Sequence, residues 1–195
     1  MSNKAIQFNS RKEKYLLFVG QISHHKGVES LLNAFNEIGT RYLDFKLKIV
    51  GDTKDQLYKE HIQSIAYEAN LNERIEFLGN LEEATVYDLM SRAYFIVVPS
   101  LFEGFGRITV EAIFNGCFVL GRNSGGTKEI LTTTPGGILF DDDEHLITIM
   151  EDLMANGMER FFEKMIYIQQ EASELYSNEQ NVSKILSLYH KILNR

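Results

Sequence analysis

Six short, mostly apolar runs recur along the chain and predict β-strands. Tyr15–Val19 and Tyr94–Val98 are the most continuously apolar, which is typical of central parallel strands that are covered on both faces. Phe45–Gly51 alternates at first, as expected of a strand nearer an edge. The remaining runs are Arg74–Gly79, Cys117–Gly121 and Gly136–Phe140, the last of which predicts a small edge strand.

Apolar residues spaced three and four positions apart predict helices between and after these strands. The predicted helices are Val28 to about Gly39, Asp55 to Ala69, Glu82 to Ala93, Arg107 to about Gly116, a short helix opened by the loop Ser124–Ile130, and the whole chain after Asp143. In the second helix the pattern places Leu57, Ile62, Ile65 and Ala66 inward. After Asp143 the predicted inward faces are Leu146, Ile149, Met150 and Leu153, then Phe161, Phe162, Met165 and Ile166, and finally Val182, Ile185, Leu188 and Ile192.

This alternation predicts an α/β protein with a doubly wound, mostly parallel six-stranded sheet, helices on both faces and a helical C-terminus. In such a Rossmann-like unit the strand order is 3-2-1-4-5-6, so Tyr15–Val19 and Tyr94–Val98 should be adjacent. Residues 1–14 are polar and predict a lead-in or linker, whereas residues 15–195 predict one domain.

Composition narrows the classes of partner. The net charge of −7 argues against a broad nucleic-acid surface or an anionic-membrane surface. The single cysteine, Cys117, opens an apolar run, so we expect a buried thiol in a reducing cytoplasm. No signal-peptide core or stretch of eighteen apolar residues is present in the sequence, which also favours a cytoplasmic protein. The adjacent His24 and His25 lie on a loop without a third ligand at helical spacing, so we expect no metal site.

Glycines mark the predicted strand ends. Gly20, Gly51, Gly79 and Gly121 each close a strand, and Gly104 and Gly106 follow another. Because open α/β sheets bind ligands at the carboxyl ends of their strands, this pattern predicts a binding edge. Glycine at a strand end is also ordinary turn chemistry, so the pattern alone leaves the ligand open.

The stretch from Pro99 to Ala112 has the pattern strand, glycine turn, helix. Glu103 lies in the turn and Glu111 lies in the first part of the helix. Free amides at a helix start attract anions, and carboxylates accept hydrogen bonds from hydroxyls, so the stretch suits a polyhydroxylated, phosphorylated molecule. A glutamate near a helix start also complements the helix dipole, a contribution of about 0.3–1 kcal/mol, which remains an alternative.

A second anion site is predicted where Lys26 and Gly27 precede a helix. The loop lacks the Gly-x-Gly-x-x-Gly pattern of dinucleotide dehydrogenases, and the chain lacks the Gly-x4-Gly-Lys-Ser/Thr loop of nucleotide hydrolases. A lysine beside free helix amides suits a diphosphate, although a solvated loop lysine is the plainer alternative.

These motifs together resemble a known family. Glu103-Gly-Phe-Gly-Arg-Ile-Thr-Val-Glu111 resembles the Glu-x7-Glu motif of nucleotide-sugar glycosyltransferases with two Rossmann-like halves, the GT-B fold, and most closely the retaining group 1 glycosyl transferases. Ser124–Ile130 resembles the Gly-Gly-x-x-Glu signature of that family, Gly137–Phe140 its Gly-x-Leu-Phe/Val element, and Phe77–Gly79 the strand end that holds the nucleobase. Where the family has Gly-Arg-x4-Lys-Gly, this chain has Gln21 in place of the arginine.

The resemblance implies the donor-binding, C-terminal half of such an enzyme. It assigns the diphosphate to Lys26 with Gln21, the ribose to Glu111, and the donor sugar to Glu103 with the backbone of Gly104 to Gly106. Glu103 and Lys26 are the implied catalytic residues. The remaining implied donor-binding residues are Gly20, Gly27, Leu78, Gly79, Phe105, Gly125 and Gly126.

The resemblance also implies partners and a reaction. The nucleotide-sugar is a substrate, no metal or other cofactor takes part, and the sugar is transferred with retention to a glycan or lipid-linked glycan. The acceptor is held by the N-terminal half, so we expect the isolated chain to be inactive and any membrane contact to come from that half. The nucleobase, sugar and acceptor are set by backbone groups and by the other half, so these motifs do not specify them.

Two other functions fit parts of the pattern. A glycoside hydrolase could use Glu103 and Glu111 as its acid and base, which requires carboxyl groups ~5–5.5 Å apart in a retaining enzyme. A non-catalytic subunit could bind the nucleotide-sugar and act through a partner chain.

Overall fold

The computed structural model of the protein describes residues 9–68, 71, 73–134 and 136–175. Six parallel strands form one sheet: β1 Tyr15–Val19, β2 Lys46–Val50, β3 Ile75–Gly79, β4 Phe95–Val98, β5 Val119–Arg122 and β6 Gly137–Phe140. Their order is β3-β2-β1-β4-β5-β6. In the central pair Leu16 lies opposite Phe95, and Leu17 lies opposite Ile96. The predicted fold class and the predicted strand order are therefore confirmed.

Helices cover both faces of the sheet. They are α1 Val28–Gly39, α2 Gln56–Glu68, α3 Glu83–Arg92, α4 Arg107–Phe114, α5 Gly125–Thr133, α6 Asp143–Asn156 and α7 Glu159–Leu175, with a 3₁₀ turn at His24–Lys26. Alternate residues of β1 enter two separate apolar clusters: Leu16 and Phe18 join α1, α2 and α6, whereas Tyr15 and Leu17 join α3, α4 and α5. This division follows from the period of two along a strand.

Two predicted inward positions are wrong. Leu57 is 79% exposed, and Tyr58 is buried in its place, because Tyr58, Ile62 and Ala66 share the i, i+4, i+8 row of α2 that faces the sheet. Ile166 of α7 is 47% exposed, whereas Met165 and Ile168 are buried. Leu57 and Ile166 each lie next in sequence to a buried residue. One step along a helix turns the side chain by about 100°, which takes both of them off the buried face.

Several boundaries also differ from the predictions. β5 begins at Val119 rather than Cys117, because the Cys117 amide donates to the Ala112 carbonyl and closes the turn after α4. Gly157, with a φ of 80°, separates α6 from α7, so the helical segment after Asp143 is not continuous. The predicted apolar face at Val182, Ile185, Leu188 and Ile192 lies outside the described residues, as do Ala69 and residues 1–8 of the lead-in.

The polar residues before β1 contact the edge of the sheet at which the strands begin, which we call the amino edge. The Lys12 ammonium donates to the carbonyl oxygens of Ser91 and Gly116 at 2.7 and 2.8 Å. Burial lowers the pKa of Lys12. The Glu13 amide donates to the Arg92 carbonyl at 2.8 Å. The loops that follow the strands form the opposite edge, here called the carboxyl rim, and the candidate residues lie there.

Candidate functional site

The start of α1 is packed against the end of β4. Gly27 has a φ of 67°, and a Cβ atom on it would lie 2.3 Å from the Pro99 carbonyl oxygen. Glycine is required because the backbone is left-handed and the carbonyl occupies the side-chain space. The Leu101 amide donates to the His25 carbonyl oxygen at 2.9 Å. These contacts hold the first turn of α1, whose leading amides have no partner within the helix, beside the loop after β4.

Lys26 and Glu103 form an ion pair across these two loops. The Lys26 Nζ lies 2.6 Å from the Glu103 Oε2, and the two side chains are 29% and 14% exposed. Lys26 ends the 3₁₀ turn before α1, and Glu103 lies in the loop between β4 and α4. The structure therefore places a cation and a carboxylate together beside the first turn of α1.

The loop after β4 and the start of α5 are in direct contact through their backbones. The Gly126 amide donates to the Glu103 carbonyl oxygen at 2.8 Å. A Cβ atom on Gly125 would lie 2.0 Å from that oxygen, and one on Gly126 would lie 2.4 Å from the Phe105 carbonyl carbon. Glycine is thus required at both positions for the loop after β4 to pack this closely against the start of α5. Gly104, by contrast, has open space around it.

Hydrogen bonds of hydroxyl groups also join the loop after β4 and helix α4 to the region around the start of α5. The hydroxyls of Thr109 and Thr127 lie 2.9 Å apart in a buried contact between α4 and α5. The Ser124 hydroxyl donates to the Leu101 carbonyl oxygen at 2.8 Å. The loop also carries two exposed rings, Phe102 and Phe105.

Glu111 lies on α4 with its side chain 21% exposed. Burial raises the pKa of its carboxyl, the Arg107 charge opposes that shift, and the Glu83 charge adds to it. The Arg107 Nε lies 3.2 Å from the Glu111 Oε1. On the facing helix α3, the Tyr87 hydroxyl donates to Glu83 at 2.6 Å, and burial raises the pKa of Tyr87. A second carboxylate thus lies near Glu111.

The ends of β1, β2 and β3 meet at the side of the rim next to α2. The Gly51 amide donates to the Gly79 carbonyl at 2.8 Å, and a Cβ atom on Gly51 would lie 1.9 Å from the Gly20 carbonyl oxygen. Gly79 itself has open space where a Cβ would point. Gln21 is exposed and Leu78 is partly buried.

A cavity of about 180 Å³ opens at this side. Its lining residues are Ile22, Gly51, Asp52, Lys59, Ile62, Gln63, Phe77 and Gly79. The Lys59 ammonium lies 2.9 Å from Asp52 and, through that hydrogen bond, lowers the pKa of the Asp52 carboxyl. Phe77 packs with the α1 and α2 cluster and Leu78 with the α3 and α4 cluster, so the two residues lie on opposite faces of the sheet.

Sequence reasoning missed several polar and charged residues at the rim. Arg122 ends β5, and a charged residue closing an apolar run just before Gly-Gly was a usable signal. Glu83 and Tyr87 are spaced as ordinary surface positions of a helix, and Asp52 and Lys59 pair only because the β2 loop meets α2. No sequence signal distinguished these four residues.

The described histidines and the cysteine are not arranged as a metal site. Among the residues that the structure describes, no three His, Cys, Asp or Glu side chains are grouped as metal ligands. The His24 ring lies 4.0 Å from the Tyr58 ring. Cys117 is buried, as expected, and burial raises the pKa of its thiol to about 12. Within the described ranges no helix has the length and apolar character needed to cross a membrane.

Comparison with known sequences gives a family match over most of the chain. The family model for glycosyl transferases group 1 matches residues 2–172. An uncharacterized glycosyltransferase of Methanocaldococcus jannaschii is 36% identical over 139 residues, which cover 71% of this chain and 37% of the relative. The chain thus spans less than half of that relative's length.

Solved structures share the fold at lower identity. HepE from Anabaena, crystallised in complex with UDP and glucose, is 22% identical with a TM-score of 0.75, over 90% of this chain and 48% of HepE. The C-terminal domain of the group 1 family protein LpcC from Francisella tularensis is 19% identical with a TM-score of 0.72. That match covers 85% of this chain and 87% of the domain, so the fold here is that of a C-terminal domain.

Proposed function

Because the chain belongs to the glycosyl transferases group 1 family, we propose that its carboxyl rim binds the nucleotide-sugar donor of a glycosyltransferase. The observation that carries the proposal is the Lys26–Glu103 ion pair beside the first turn of α1. The ammonium and the helix amides suit a diphosphate, and the carboxylate suits sugar hydroxyls. The complex of HepE with UDP and glucose supports a donor of this chemical class.

In this proposal the diphosphate replaces Glu103 as the partner of Lys26. Negative charge develops on the diphosphate as it leaves the sugar, so stabilising that charge lowers the barrier directly. Lys26 supplies the cation, helped by Gln21 and by the backbone at Gly20 and Gly27. Glu103, released from the ion pair, accepts hydrogen bonds from the donor sugar. These two side chains are the proposed catalytic residues.

The other rim residues hold the rest of the donor. Glu111 accepts hydrogen bonds from the ribose hydroxyls, and the backbone from Gly104 to Gly106, including Phe105, contacts the sugar. Leu78 and Gly79 lie at the nucleobase end. Gly125 and Gly126 act by allowing the loop after β4 to pack against the start of α5, as their contacts with Glu103 and Phe105 indicate.

The acceptor and the cellular setting are also proposals. The family resemblance favours transfer with retention and without a bound metal, to a glycan or lipid-linked glycan that a further domain holds. We expect the protein to act in the cytoplasm, where the buried thiol of Cys117 stays reduced.

Calorimetric titration tests the donor proposal directly. UDP, GDP, ADP and UDP-glucose are titrated into the chain, and at least one should bind with a Kd of roughly 1 μM–1 mM, the common range for enzyme substrates. Lys26→Gln should weaken binding of the diphosphate about tenfold or more, since it removes a charged hydrogen-bond donor.

Lys46→Gln is the matched control for this experiment. Lys46 also pairs with a glutamate, Glu76 at 2.7 Å, but at the amino edge of the sheet. It should leave the affinity unchanged. If none of the nucleotides binds, or if both variants weaken binding equally, the donor site is not at this rim.

A further inference from the structure

Arg122 is the last residue of β5, and its guanidinium contacts four structural elements at the carboxyl rim. The side chain is 15% exposed. Its Nε donates to the Pro99 carbonyl oxygen at 3.1 Å, and its Nη2 donates both to the Ser30 hydroxyl at 3.2 Å and to the Asp143 carboxylate at 2.8 Å. The guanidinium carbon also lies 5.1 Å from the centre of the Phe140 ring.

Two of these contacts bear on the start of α1. The Pro99 carbonyl is the group that fills the side-chain space of Gly27, so Arg122 holds that carbonyl in place. Ser30 lies in the first turn of α1, and its hydroxyl donates in turn to Asp143 at the start of α6. One planar guanidinium therefore ties the loop after β4, the first turn of α1 and the start of α6 together.

We propose that Arg122 is a positioning residue for the diphosphate of the donor, an inference that rests on the proposed function. Each of its three guanidinium nitrogens donates to a group of the protein, Nη1 to the Asp141 carbonyl oxygen at 3.4 Å. Arg122 therefore acts through the helix start and not by contact with the ligand. The amides of α1 and Lys26 bind the diphosphate only if the first turn of α1 keeps its place. A lysine cannot replace Arg122, because one ammonium cannot reproduce the planar fork.

The experiment compares a nucleoside diphosphate with its parent nucleoside. Calorimetry measures binding of UDP, GDP and ADP, and of uridine, guanosine and adenosine, to the wild-type chain. The diphosphate that binds most tightly and its parent nucleoside are then used for the variants. Arg122→Met keeps an apolar stem but removes the charge and the hydrogen bonds. It should weaken binding of the diphosphate about tenfold, the loss expected when a displaced helix start no longer makes one hydrogen bond to a charged group. Binding of the nucleoside should weaken less than about twofold.

Arg74→Met is the matched control. Arg74 also donates to backbone carbonyls, those of Tyr42 and Phe45, and lies over a phenylalanine ring, but at the amino edge of the sheet. It should lower stability without changing the ratio of diphosphate to nucleoside affinity. Two milder variants are used if Arg122→Met does not fold. Arg122→Lys should still lower the affinity for the diphosphate about tenfold, and Ser30→Ala should lower it about threefold. Neither should change the affinity for the nucleoside.

The outcomes separate the two proposals. If the wild-type chain binds none of the nucleotides, the proposed function fails. If it binds them and the Arg122 variants change the affinity ratio no more than Arg74→Met does, Arg122 has only a stabilising role and the inference is overturned.

Discussion

At the scale of the residue, Glu111 combines a proposed binding role with a cost to stability. Burial raises its pKa, and the nearby Glu83 charge adds to that effect, so the folded protein disfavours the ionised carboxylate. An acid whose pKa is higher in the folded state binds protons more tightly there. Its contribution to the free energy of unfolding therefore falls as the pH rises through the interval between the unfolded and folded pKa values.

Glu111→Gln separates these two roles. At pH 7 the melting temperature should be equal to or higher than that of the wild type, because the variant removes an unfavourable charge. This advantage should vanish in acid, below the ordinary glutamate pKa. Affinity for the nucleoside diphosphate should fall about ten- to a hundredfold, since hydrogen bonds to charged groups contribute roughly 1.5–3 kcal/mol. Thermal unfolding across pH and calorimetry measure the two effects.

Glu151→Gln is the control for this prediction. Glu151 is also partly buried and pairs with an arginine, Arg41 at 2.6 Å, but lies in α6 away from the rim loops. It should leave nucleotide affinity unchanged. Unaltered affinity in a folded Glu111→Gln protein would assign Glu111 a helix-dipole role only.

At the scale of the element, the placement of α1 depends on contact between backbones. A helix start can approach a neighbouring strand end this closely only where the side chain is a hydrogen atom. Gly27 meets the Pro99 carbonyl at its left-handed position, whereas Gly79, with a similar φ of 65°, has no atom within 4 Å of a built Cβ. The two glycines thus separate the cost of the backbone angle from the cost of the contact.

Alanine substitutions at these two positions should differ in effect. Gly79→Ala should lower the free energy of unfolding by about 1–2 kcal/mol, the cost of a left-handed residue. Gly27→Ala should lower it by roughly 3 kcal/mol or more, because the Pro99 carbonyl must also move. Urea denaturation measures both values, and equal losses would contradict the packing of α1 on β4.

At the scale of the whole molecule, the chain corresponds to part of its relatives. It spans 37% of the Methanocaldococcus relative and 48% of HepE, and it has the fold of a C-terminal domain. Small-molecule sites are frequent at domain interfaces.

We therefore predict that this chain binds donor without transferring sugar. Orientation of two substrates can account for ~7–11 kcal/mol of a barrier, and this contribution is lost when only one substrate is held. The chain is mixed with UDP-glucose and a panel of glycan and lipid-linked acceptors, and nucleotide release and product are followed. Turnover at ordinary enzyme rates would show that these residues include the acceptor site.

A different outcome is expected of a hydrolase. Release of free glucose without acceptor would instead favour the hydrolase alternative at Glu103 and Glu111.

The sequence by itself determined the sheet, its strand order and the position of the Glu103–Glu111 motif at a strand end. Continuous apolar runs such as Tyr15–Val19 identify buried parallel strands because both of their faces need cover. The motif from Glu103 to Glu111 carries its own turn and helix start, so its place at a strand end follows from local residues. These features depend on neighbours in sequence, and a single chain displays them directly.

Only the tertiary structure decided which neighbours face each other. Leu57 and Tyr58 are both apolar enough to be buried, and the direction in which α2 meets the sheet selected Tyr58. The Lys26–Glu103 pair joins residues 77 positions apart, and the Arg122 contacts with Ser30 and Pro99 join separate crossovers of the sheet. Such contacts depend on how loops from different strands converge at one edge, which no local pattern of residues encodes.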